Sequence, residues 1–208
     1  TTIERTRRLA EAGADAVLVV TPYYNKPTQE GLYRHYVAVA EASAVPVILY
    51  NVPARTGVDL LPGTVERLAA HPRIVALKEA TGSLQRLAEL QQRCGDELEF
   101  LSGDDPIAAE AMLAGARGVI SVTANVAPRA MHELTVAALA GDAARARELD
   151  ARLQVLHRAM FVESNPIPAK WAVQQLGLIP GGIRLPLTPL AASAQPAVRD
   201  AMRAAGVI

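Results

Sequence analysis

The 208-residue chain has little of several things, and each shortage excludes a class of protein. Cysteine occurs once, at Cys94, so the chain can form neither an internal disulfide nor an all-cysteine metal site. Lysine plus arginine and aspartate plus glutamate both total 21, and the resulting net charge of zero offers no basic field to nucleic acid. No apolar run approaches the roughly 18 residues that a membrane span requires. These absences predict a globular cytoplasmic protein that binds neither nucleic acid nor a membrane.

What the chain does contain is a recurring pattern of short apolar runs. Five of them precede residue 126: Ala16–Val20, Pro46–Tyr50, Ile74–Lys78, Glu99–Ser102 and Gly118–Val122. Their continuous apolar character is typical of strands that are buried on both faces of a sheet. Helix-start and helix-stop residues between them predict helices over Gln29–Ala42, Leu84–Cys94 and Pro106–Leu113. Strands separated by helices run parallel, because parallel neighbours need long crossovers.

No strand pattern follows Val122, and the rest of the chain is predicted to be helical. Helical periodicity covers four segments: Pro128–Ala140, Asp142–Phe161, Pro166–Leu176 and Pro189 towards Ala205. At the other end, the first residues resemble the middle of a helix, and neither a Met nor an apolar signal core begins the chain. We therefore expect a β/α region over residues 1–125 and a helical region over residues 126–208 that packs on it.

Two parallel architectures fit this pattern, an open doubly wound sheet and a closed eight-stranded barrel. The chain contains neither GxGxxG nor GxxxxGK[ST], so the nucleotide-binding forms of the open sheet lose their main support. Polar side chains instead follow nearly every predicted strand, and the active sites of β/α barrels lie at that end of the strands. This distribution favours an α/β fold of the TIM-barrel type.

Lys78 closes an apolar run, where strand alternation directs its side chain towards an apolar interior. Burial lowers the pKa of an amine, and a neutral amine can attack a ketone to form a Schiff base. A lysine that reaches solvent, or that pairs with the neighbouring Glu79, is the alternative explanation. Its position makes Lys78 a candidate nucleophile but leaves both explanations open.

Tyr50 and Arg55 come at the end of the preceding strand and just beyond it. A phenol at a strand end can relay the protons that Schiff-base chemistry moves, although an ordinary half-buried tyrosine is the more common case. The guanidinium of Arg55 lies in a loop between Pro53 and Gly57 and offers a rigid fork for a carboxylate. A solvated loop arginine is the alternative. The two residues are candidates for acid–base catalysis and for carboxylate binding.

Six segments, taken together, carry a resemblance to a known family: TPYYNKP (21–27), YNVPARTG (50–57), LKEATG (77–82), LSGDD (101–105), GVISVTAN (118–125) and NPIPAKWA (165–172). In this order and spacing they resemble the dihydrodipicolinate synthases over essentially the whole chain. The resemblance implies a class I aldolase-type barrel, of which the five predicted strands would be strands four to eight. It implies condensation of pyruvate with aspartate semialdehyde in lysine and diaminopimelate biosynthesis, with no cofactor and no metal.

The resemblance also implies roles for the three residues already selected. Lys78 matches the lysine that forms the Schiff base with pyruvate, and Tyr50 matches the proton-relay tyrosine. Arg55 matches the arginine that binds the carboxylate of aspartate semialdehyde. Related branches of the superfamily use the same lysine and tyrosine to cleave N-acetylneuraminate or to process keto-deoxy sugar acids. Arg55 favours the synthase, since the lyases typically have no arginine at this position.

Further residues enter through the resemblance alone. Tyr24 matches a tyrosine that reaches across a tight dimer interface into the partner's site, which implies a homodimer or homotetramer. Gly103 and Ile120 match residues that line the pyruvate pocket, and Tyr23 matches part of a lysine feedback site. The histidines lack a metal-ligand pattern and are expected at the surface or as helix caps: His35, His71, His132 and His157.

The chain also departs from the family. The family's barrel begins with three further strands, and a Gly-Thr-Thr-Gly-Glu segment there completes the tyrosine relay and binds the pyruvate carboxylate. No such segment occurs here, so about 80 residues are expected to precede Thr1, given a barrel of roughly 250 residues. We therefore expect an N-terminally truncated sequence. A chain that truly starts at Thr1 is expected to be an inactive fragment or a binding module.

Overall fold

The computed structural model describes residues 1–208 and contains one five-stranded parallel sheet with ten α-helices. The strands are β1 (Val17–Val20), β2 (Val47–Asn51), β3 (Ile74–Glu79), β4 (Glu99–Ser102) and β5 (Gly118–Val119), and they lie side by side in chain order. The helices are α1 (Thr2–Glu11), α2 (Gln29–Ala42), α3 (Pro53–Thr56), α4 (Pro62–Ala69), α5 (Leu84–Cys94), α6 (Ala108–Leu113), α7 (Pro128–Leu139), α8 (Ala143–Ala159), α9 (Ile167–Gln175) and α10 (Gln195–Ala204). None of these helices is long and apolar enough to cross a membrane.

The chain forms two compact units. The first consists of Thr1–Ile107 with Ala114–Ile120 and holds the whole sheet with α1 to α5. The second consists of Ala108–Leu113 with Ser121–Ile208 and holds α6 to α10. These units are not the predicted regions 1–125 and 126–208, since α6 belongs to the second unit. The predicted division between residues 125 and 126 stays a prediction.

Local capping explains why several helices begin where the sequence predicts. The hydroxyl of Thr28 accepts a hydrogen bond from the Gly31 N–H at 3.2 Å and starts α2. The hydroxyl of Ser83 accepts from the Arg86 N–H at 3.1 Å and starts α5 in the same way. Such a cap stabilises a helix by about 1 kcal/mol because it satisfies a backbone donor that has no partner within the helix.

Several helices differ from their predictions. Helix α3 forms where a loop is predicted around Arg55, and α6 begins at Ala108 instead of Pro106, since a 3₁₀ turn covers Asp105–Ile107. Helix α4 was not predicted, although Pro62 at its first turn is a start signal. The last helix begins at Gln195 rather than at Pro189, with Pro196 in its first turn. Pro196 lacks the N–H that would bond to the carbonyl of Ala192, and its ring would clash with that carbonyl, so the helix does not extend further towards the N-terminus.

Strand β5 is shorter than its apolar run predicts, since it ends at Val119 instead of Val122. Pairing continues for one residue, because the Ile120 N–H donates to the Ser102 carbonyl at 2.9 Å. The hydroxyl of Ser121 then accepts from the Ala124 N–H at 2.8 Å. This local side-chain bond offers the backbone a turn in place of a further strand residue.

The two faces of the sheet differ in burial. The residues of one face are almost fully buried: Val17, Val19, Val47, Leu49 and Leu77. On this side the hydroxyl of Tyr36, in α2, donates to the Val19 carbonyl at 3.2 Å. Apart from the buried Ala76, the other face carries side chains that are half-buried or exposed: Leu18, Val20, Ile48, Tyr50, Lys78 and Leu101. The prediction that the strands are buried on both faces is therefore not met by these side chains of the second face.

Candidate active site

Lys78 and Tyr50 occupy paired positions on β3 and β2, near the carboxyl ends of both strands. The Lys78 amine nitrogen lies 4.2 Å from the centroid of the Tyr50 ring. Both side chains are half-buried on the more open face of the sheet. Parallel pairing without an offset here brings the two candidate catalytic groups into direct contact.

The surroundings of Lys78 favour its neutral form. Burial is the largest influence and lowers the pKa of the amine, and the positive charge of Arg55 acts in the same direction. The carboxylates of Asp105 and Asp104 oppose this change but do not outweigh it. A lowered pKa increases the fraction of free amine, which is the form that attacks a carbonyl carbon.

The surroundings of Tyr50 favour its protonated form. Burial raises the pKa of the phenol, and the negative charge of Asp104 adds to the increase, while Arg55 counteracts it. The hydroxyl therefore keeps its proton near neutral pH and can donate it to a substrate oxygen. A proton donor beside an amine with a lowered pKa is an arrangement that suits the formation and dehydration of a carbinolamine.

Gly103 follows β4 and lies against the lysine side chain. Its N–H donates to the Glu79 carbonyl at 2.7 Å, which ties the end of β4 to the end of β3. A Cβ at this position would lie 3.1 Å from the Lys78 Cε and 2.6 Å from the Ala80 Cβ. The backbone at position 103 therefore comes so close to the aliphatic chain of Lys78 that only glycine fits there.

Asp104 and Asp105 are charged neighbours of Lys78 to which the sequence motif assigned no role. Burial raises the pKa of Asp104, and Asp105 reinforces this, while the Gly82 N–H and the Lys78 charge lower it. The sequence signal that could have identified them is a pair of acidic residues shortly after the end of the predicted strand Glu99–Ser102. Only the register between β3 and β4 determines that these acids face the lysine.

Arg55 lies in the short helix α3 and is exposed. The helix begins with Pro53 and ends at Gly57, which adopts a left-handed conformation with φ of 72°. The charge of Arg55 influences the pKa values of both Lys78 and Tyr50, so the guanidinium lies near the two groups. Its role in binding a carboxylate stays a prediction.

The remaining predicted site residues occupy separate positions. Ile120 is half-buried beyond β5, hydrogen-bonded through its N–H to the end of β4. Tyr24 and Tyr23 lie in the loop between β1 and α2 and are 92% and 68% exposed. Tyr24 has a φ of 70°, which is uncommon for a residue other than glycine. The structure does not pack Tyr24 against Lys78 of the same chain, and its role stays a prediction.

One prediction about the histidines is wrong. His157 is fully buried in the second unit, where its Nδ1 lies 2.8 Å from the hydroxyl of Thr123. It occupies the apolar stripe of α8 between buried leucines, so helical periodicity carries it inward despite its polarity. No group of three or more His, Cys, Asp or Glu side chains in the chain could hold a metal ion.

Comparison with known proteins gives a consistent result. The model of the dihydrodipicolinate synthetase family matches residues 1–205. The chain is 62% identical over 206 residues to the 4-hydroxy-tetrahydrodipicolinate synthase of Methylococcus capsulatus, covering 99% of this chain and 71% of that enzyme.

Two solved structures are similar over the whole chain. The chloride-inhibited dihydrodipicolinate synthase of Acinetobacter baumannii, complexed with pyruvate, superposes with a TM-score of 0.97 at 54% identity, covering 99% of this chain and 71% of that one. The enzyme of Cyanidioschyzon merolae with lysine bound gives a TM-score of 0.95 at 39% identity, covering 100% and 72%. These similarities confirm the predicted fold class and do not favour the N-acetylneuraminate lyase alternative. The chain belongs to the dihydrodipicolinate synthetase family.

Proposed function

We propose that the chain condenses pyruvate with aspartate semialdehyde to 4-hydroxy-tetrahydrodipicolinate, a step of lysine and diaminopimelate biosynthesis, through a Schiff base on Lys78. The observation that carries this proposal is the contact between the Lys78 amine and the Tyr50 ring at 4.2 Å, on adjacent strand ends. The lowered pKa of Lys78 and the raised pKa of Tyr50 supply a nucleophile and a proton donor side by side.

In the first half-reaction the neutral Lys78 amine attacks the ketone carbon of pyruvate. The carbinolamine oxygen takes up protons and leaves as water, which forms the imine. Loss of a methyl proton then gives an enamine, whose carbon attacks the aldehyde carbon of aspartate semialdehyde while the aldehyde oxygen takes up a proton. The amino group of the semialdehyde then attacks the re-formed imine carbon, which closes the ring and releases the Lys78 amine. Tyr50, whose ring contacts the amine, is the proposed group that delivers and removes protons in these steps. The glycine at position 103 leaves room beside the lysine, and with Ile120 it is proposed to border the pyruvate pocket.

The second substrate brings a carboxylate, and Arg55 is the proposed partner for it. The guanidinium is exposed at the edge of the site and its planar fork matches a carboxylate. Its charge also reaches Lys78 and Tyr50, so a carboxylate bound there would lie beside the reacting groups. This division assigns pyruvate to the lysine and the semialdehyde to the arginine.

The assembly and regulation of the enzyme are also proposed. We infer a homodimer or homotetramer in which Tyr24 enters the partner's site, because an aromatic ring that is 92% exposed on a left-handed backbone gains little within its own chain. Feedback binding of lysine near Tyr23 is proposed from the same loop, with the lysine-bound Cyanidioschyzon merolae enzyme as support. We also propose that the enzyme is located in the cytoplasm.

The test is reduction of the enzyme with borohydride in the presence of pyruvate, followed by peptide mass mapping. The chain contains only three lysines, at Lys26, Lys78 and Lys170, so the assignment of the modified residue is unambiguous. We expect the reduced pyruvate adduct on the peptide that contains Lys78. An adduct on another lysine, or none with folded enzyme, would contradict the proposal.

Matched variants complete the experiment. Lys78→Arg keeps the positive charge but removes the nucleophile, and we expect no adduct and no condensation activity. Lys170→Arg makes the same change on an exposed position of α9, in the other unit, and should leave labelling unchanged. A loss of labelling in both variants would indicate a nonspecific effect of the substitution.

A further inference from the structure

Asn51 and Glu79 directly follow Tyr50 and Lys78 and point to the opposite face of the sheet. They lie opposite each other in the register of β2 and β3. Both are buried, with Asn51 0% and Glu79 6% exposed. The Asn51 amide donates to the Glu79 carboxylate, with 3.1 Å between Nδ2 and Oε2. A buried polar pair therefore lies one residue beyond the two catalytic candidates.

The remaining polar atoms of this pair also have partners. The second Glu79 oxygen accepts from the Thr81 N–H at 2.7 Å. The Asn51 amide also donates to Asp59 at 2.8 Å, and its oxygen accepts from the Leu60 N–H at 3.0 Å. Such a network is rigid when it is complete, since each group fixes the orientation of the next.

Asp59 is the second acceptor of the Asn51 amide and lies outside the sheet. Its two oxygens accept from the Arg86 guanidinium at 3.1 and 2.7 Å, which ties the loop before α4 to α5. The Arg86 fork holds the carboxylate in a fixed plane. Asn51 thus bridges two carboxylates, one fixed by α5 and one on the strand that carries Lys78.

The backbone of the same two residues joins three consecutive strand ends. The Asn51 carbonyl accepts from the Ala80 N–H at 2.9 Å, and the Glu79 carbonyl accepts from the Gly103 N–H at 2.7 Å. The side-chain bond and these backbone bonds together resist a sideways shift of β3 against its neighbours. Any such shift would carry Lys78 away from Tyr50.

We propose that Glu79 is a positioning residue, which holds the Lys78 amine in its contact with Tyr50 through the bond to Asn51. This inference rests on the proposed function, since it concerns the same lysine and tyrosine. The role is geometric rather than electrostatic, because the charged groups that influence the Lys78 amine are Asp105, Asp104 and Arg55. Burial of a carboxylate costs desolvation free energy that burial of an apolar side chain of similar size would not. We attribute the presence of Glu79 at this position to the fixed geometry that its hydrogen bonds provide.

The test is Glu79→Gln. Glutamine keeps the volume but has a single acceptor oxygen, so its amide group must face either the Asn51 amide or the Thr81 N–H, both of which are donors. We expect kcat and the rate of borohydride-trapped imine formation to fall about tenfold, as a small displacement of reacting groups does. The KM for aspartate semialdehyde should change less than about twofold. The midpoint of the pH profile for imine formation should not move.

Asp59→Asn is the matched control, because it makes the same change from acid to amide on the other partner of Asn51. A merely structural role predicts that the two variants lose kcat in proportion to their loss of thermal stability. The positioning role predicts that Asp59→Asn loses at least as much stability yet keeps kcat within about threefold, since β3 retains its bond to Asn51.

Three outcomes would overturn the inference. One is a kcat for Glu79→Gln within twofold of the unaltered enzyme, and another is equal loss of kcat and stability in the two variants. The third is a shifted pH midpoint in Glu79→Gln, which would assign an electrostatic role to the carboxylate. Trapping of pyruvate on Lys78 in the unaltered enzyme is measured alongside. Its absence would contradict the proposed function itself, whereas its presence with an unaffected Glu79→Gln would contradict only the inference.

Discussion

Gly103 lies so close to Lys78 that a Cβ added to it would come within 3.1 Å of the Lys78 Cε. The same atom would lie 2.6 Å from the Ala80 Cβ and 3.1 Å from the Glu79 carbonyl oxygen. That oxygen cannot retreat easily, because it accepts the Gly103 N–H at 2.7 Å. The position of Lys78, the proposed nucleophile, therefore depends on a glycine in the loop that follows the next strand.

Gly103→Ala should lower both activity and stability. The new methyl group must displace Ala80 or the lysine stem, and overpacking of this kind costs about 1 to 3 kcal/mol. Borohydride trapping of pyruvate should fall by more than the fraction of unfolded enzyme explains. The measurements are chemical unfolding and the trapping rate on the same preparation.

Gly63→Ala is the control for this substitution. Gly63 lies in α4, and a Cβ there would meet nothing within 4 Å. Alanine should stabilise the helix by about 0.5 to 1 kcal/mol and leave trapping unchanged. If Gly103→Ala behaved like Gly63→Ala, the close approach to Lys78 would not constrain the site.

Arg55→Ala should mainly impair the use of aspartate semialdehyde. A lost charge-assisted contact to a carboxylate costs about 1.5 to 3 kcal/mol, which corresponds to a tenfold to hundredfold loss in kcat/KM for that substrate. Trapping of pyruvate should be largely retained at a pH high enough to deprotonate the Lys78 amine, because the amine and the Tyr50 phenol remain. Steady-state kinetics with each substrate varied in turn separates the two effects.

Arg55→Lys tests the geometry of that contact. Lysine keeps the charge but lacks the planar fork, so partial recovery is expected. Equal losses for both substrates in Arg55→Ala would contradict the assigned division of labour. Efficient cleavage of N-acetylneuraminate by the unaltered enzyme would point to the related lyases.

Asp104→Asn should move the pH dependence of imine formation to lower pH. The Asp104 carboxylate stabilises the Lys78 ammonium and so raises the pKa of the amine, against the larger effect of burial. A neutral amide removes this influence, the pKa of Lys78 falls, and the free amine appears at a lower pH. The trapping rate measured across neutral and alkaline pH gives the midpoint.

Arg55→Ala should move the same midpoint in the opposite direction, because Arg55 lowers the pKa of Lys78. Glu99→Gln serves as a control on the same strand as the Asp104 loop, since Glu99 is exposed and is not among the groups that influence Lys78. Shifts of the same sign in Asp104→Asn and Arg55→Ala would contradict this account of the amine.

Local signals explain which elements could be predicted from the sequence. Helices α2 and α5 have their predicted bounds, because Thr28 and Ser83 mark their starts with hydrogen bonds that span only three residues. The end of β5 could not be read from its apolar run, since the turn at Ser121 competes with strand pairing. The contact of Lys78 with Tyr50 depends on register, which apolar character does not encode.

The environment of the site was harder to predict than its main residues. The resemblance named Lys78, Tyr50 and Gly103, which the structure brings together. The resemblance did not reveal the hydrogen bond between the buried Asn51 and Glu79. Strand alternation predicts only that these two side chains face away from Tyr50 and Lys78. Their hydrogen bond depends on tertiary packing around Asp59, which no short-range pattern contains.

Asp59→Asn should destabilise the protein at neutral pH and less so in acid. Burial alone would raise the pKa of Asp59, but hydrogen bonds from Arg86 and Asn51 outweigh it and hold the pKa below its usual value. A carboxyl whose pKa is lowered by folding stabilises the fold above its unfolded pKa, and this contribution is lost as the pH falls through the folded pKa. The side chain is 30% exposed, so after allowance for solvent screening we expect about 1 to 2 kcal/mol at pH 7.

Denaturant unfolding of the unaltered protein and the variant at about pH 7 and about pH 3 measures this difference. Glu148→Gln is the control, since Glu148 pairs with arginines on an exposed helix face and should show no measurable change at either pH. A difference for Asp59→Asn that stays constant between the two pH values would mean that the carboxylate charge contributes nothing.

Mixing two inactive variants, Tyr24→Phe and Lys78→Ala, should restore activity if Tyr24 acts in the partner's site. The Tyr24 ring is 92% exposed on its own chain, so a role in catalysis requires a second chain to receive it. In a mixed dimer, one site combines Lys78 of the first variant with Tyr24 of the second, and the other site lacks both. Random exchange makes half of the dimers mixed, each with one complete site, so about one quarter of the native activity is expected. Activity is measured after subunit exchange has been verified by mass spectrometry of differently labelled chains. No recovery in verified mixed dimers would mean that the tyrosine hydroxyl does not complete a site across the interface.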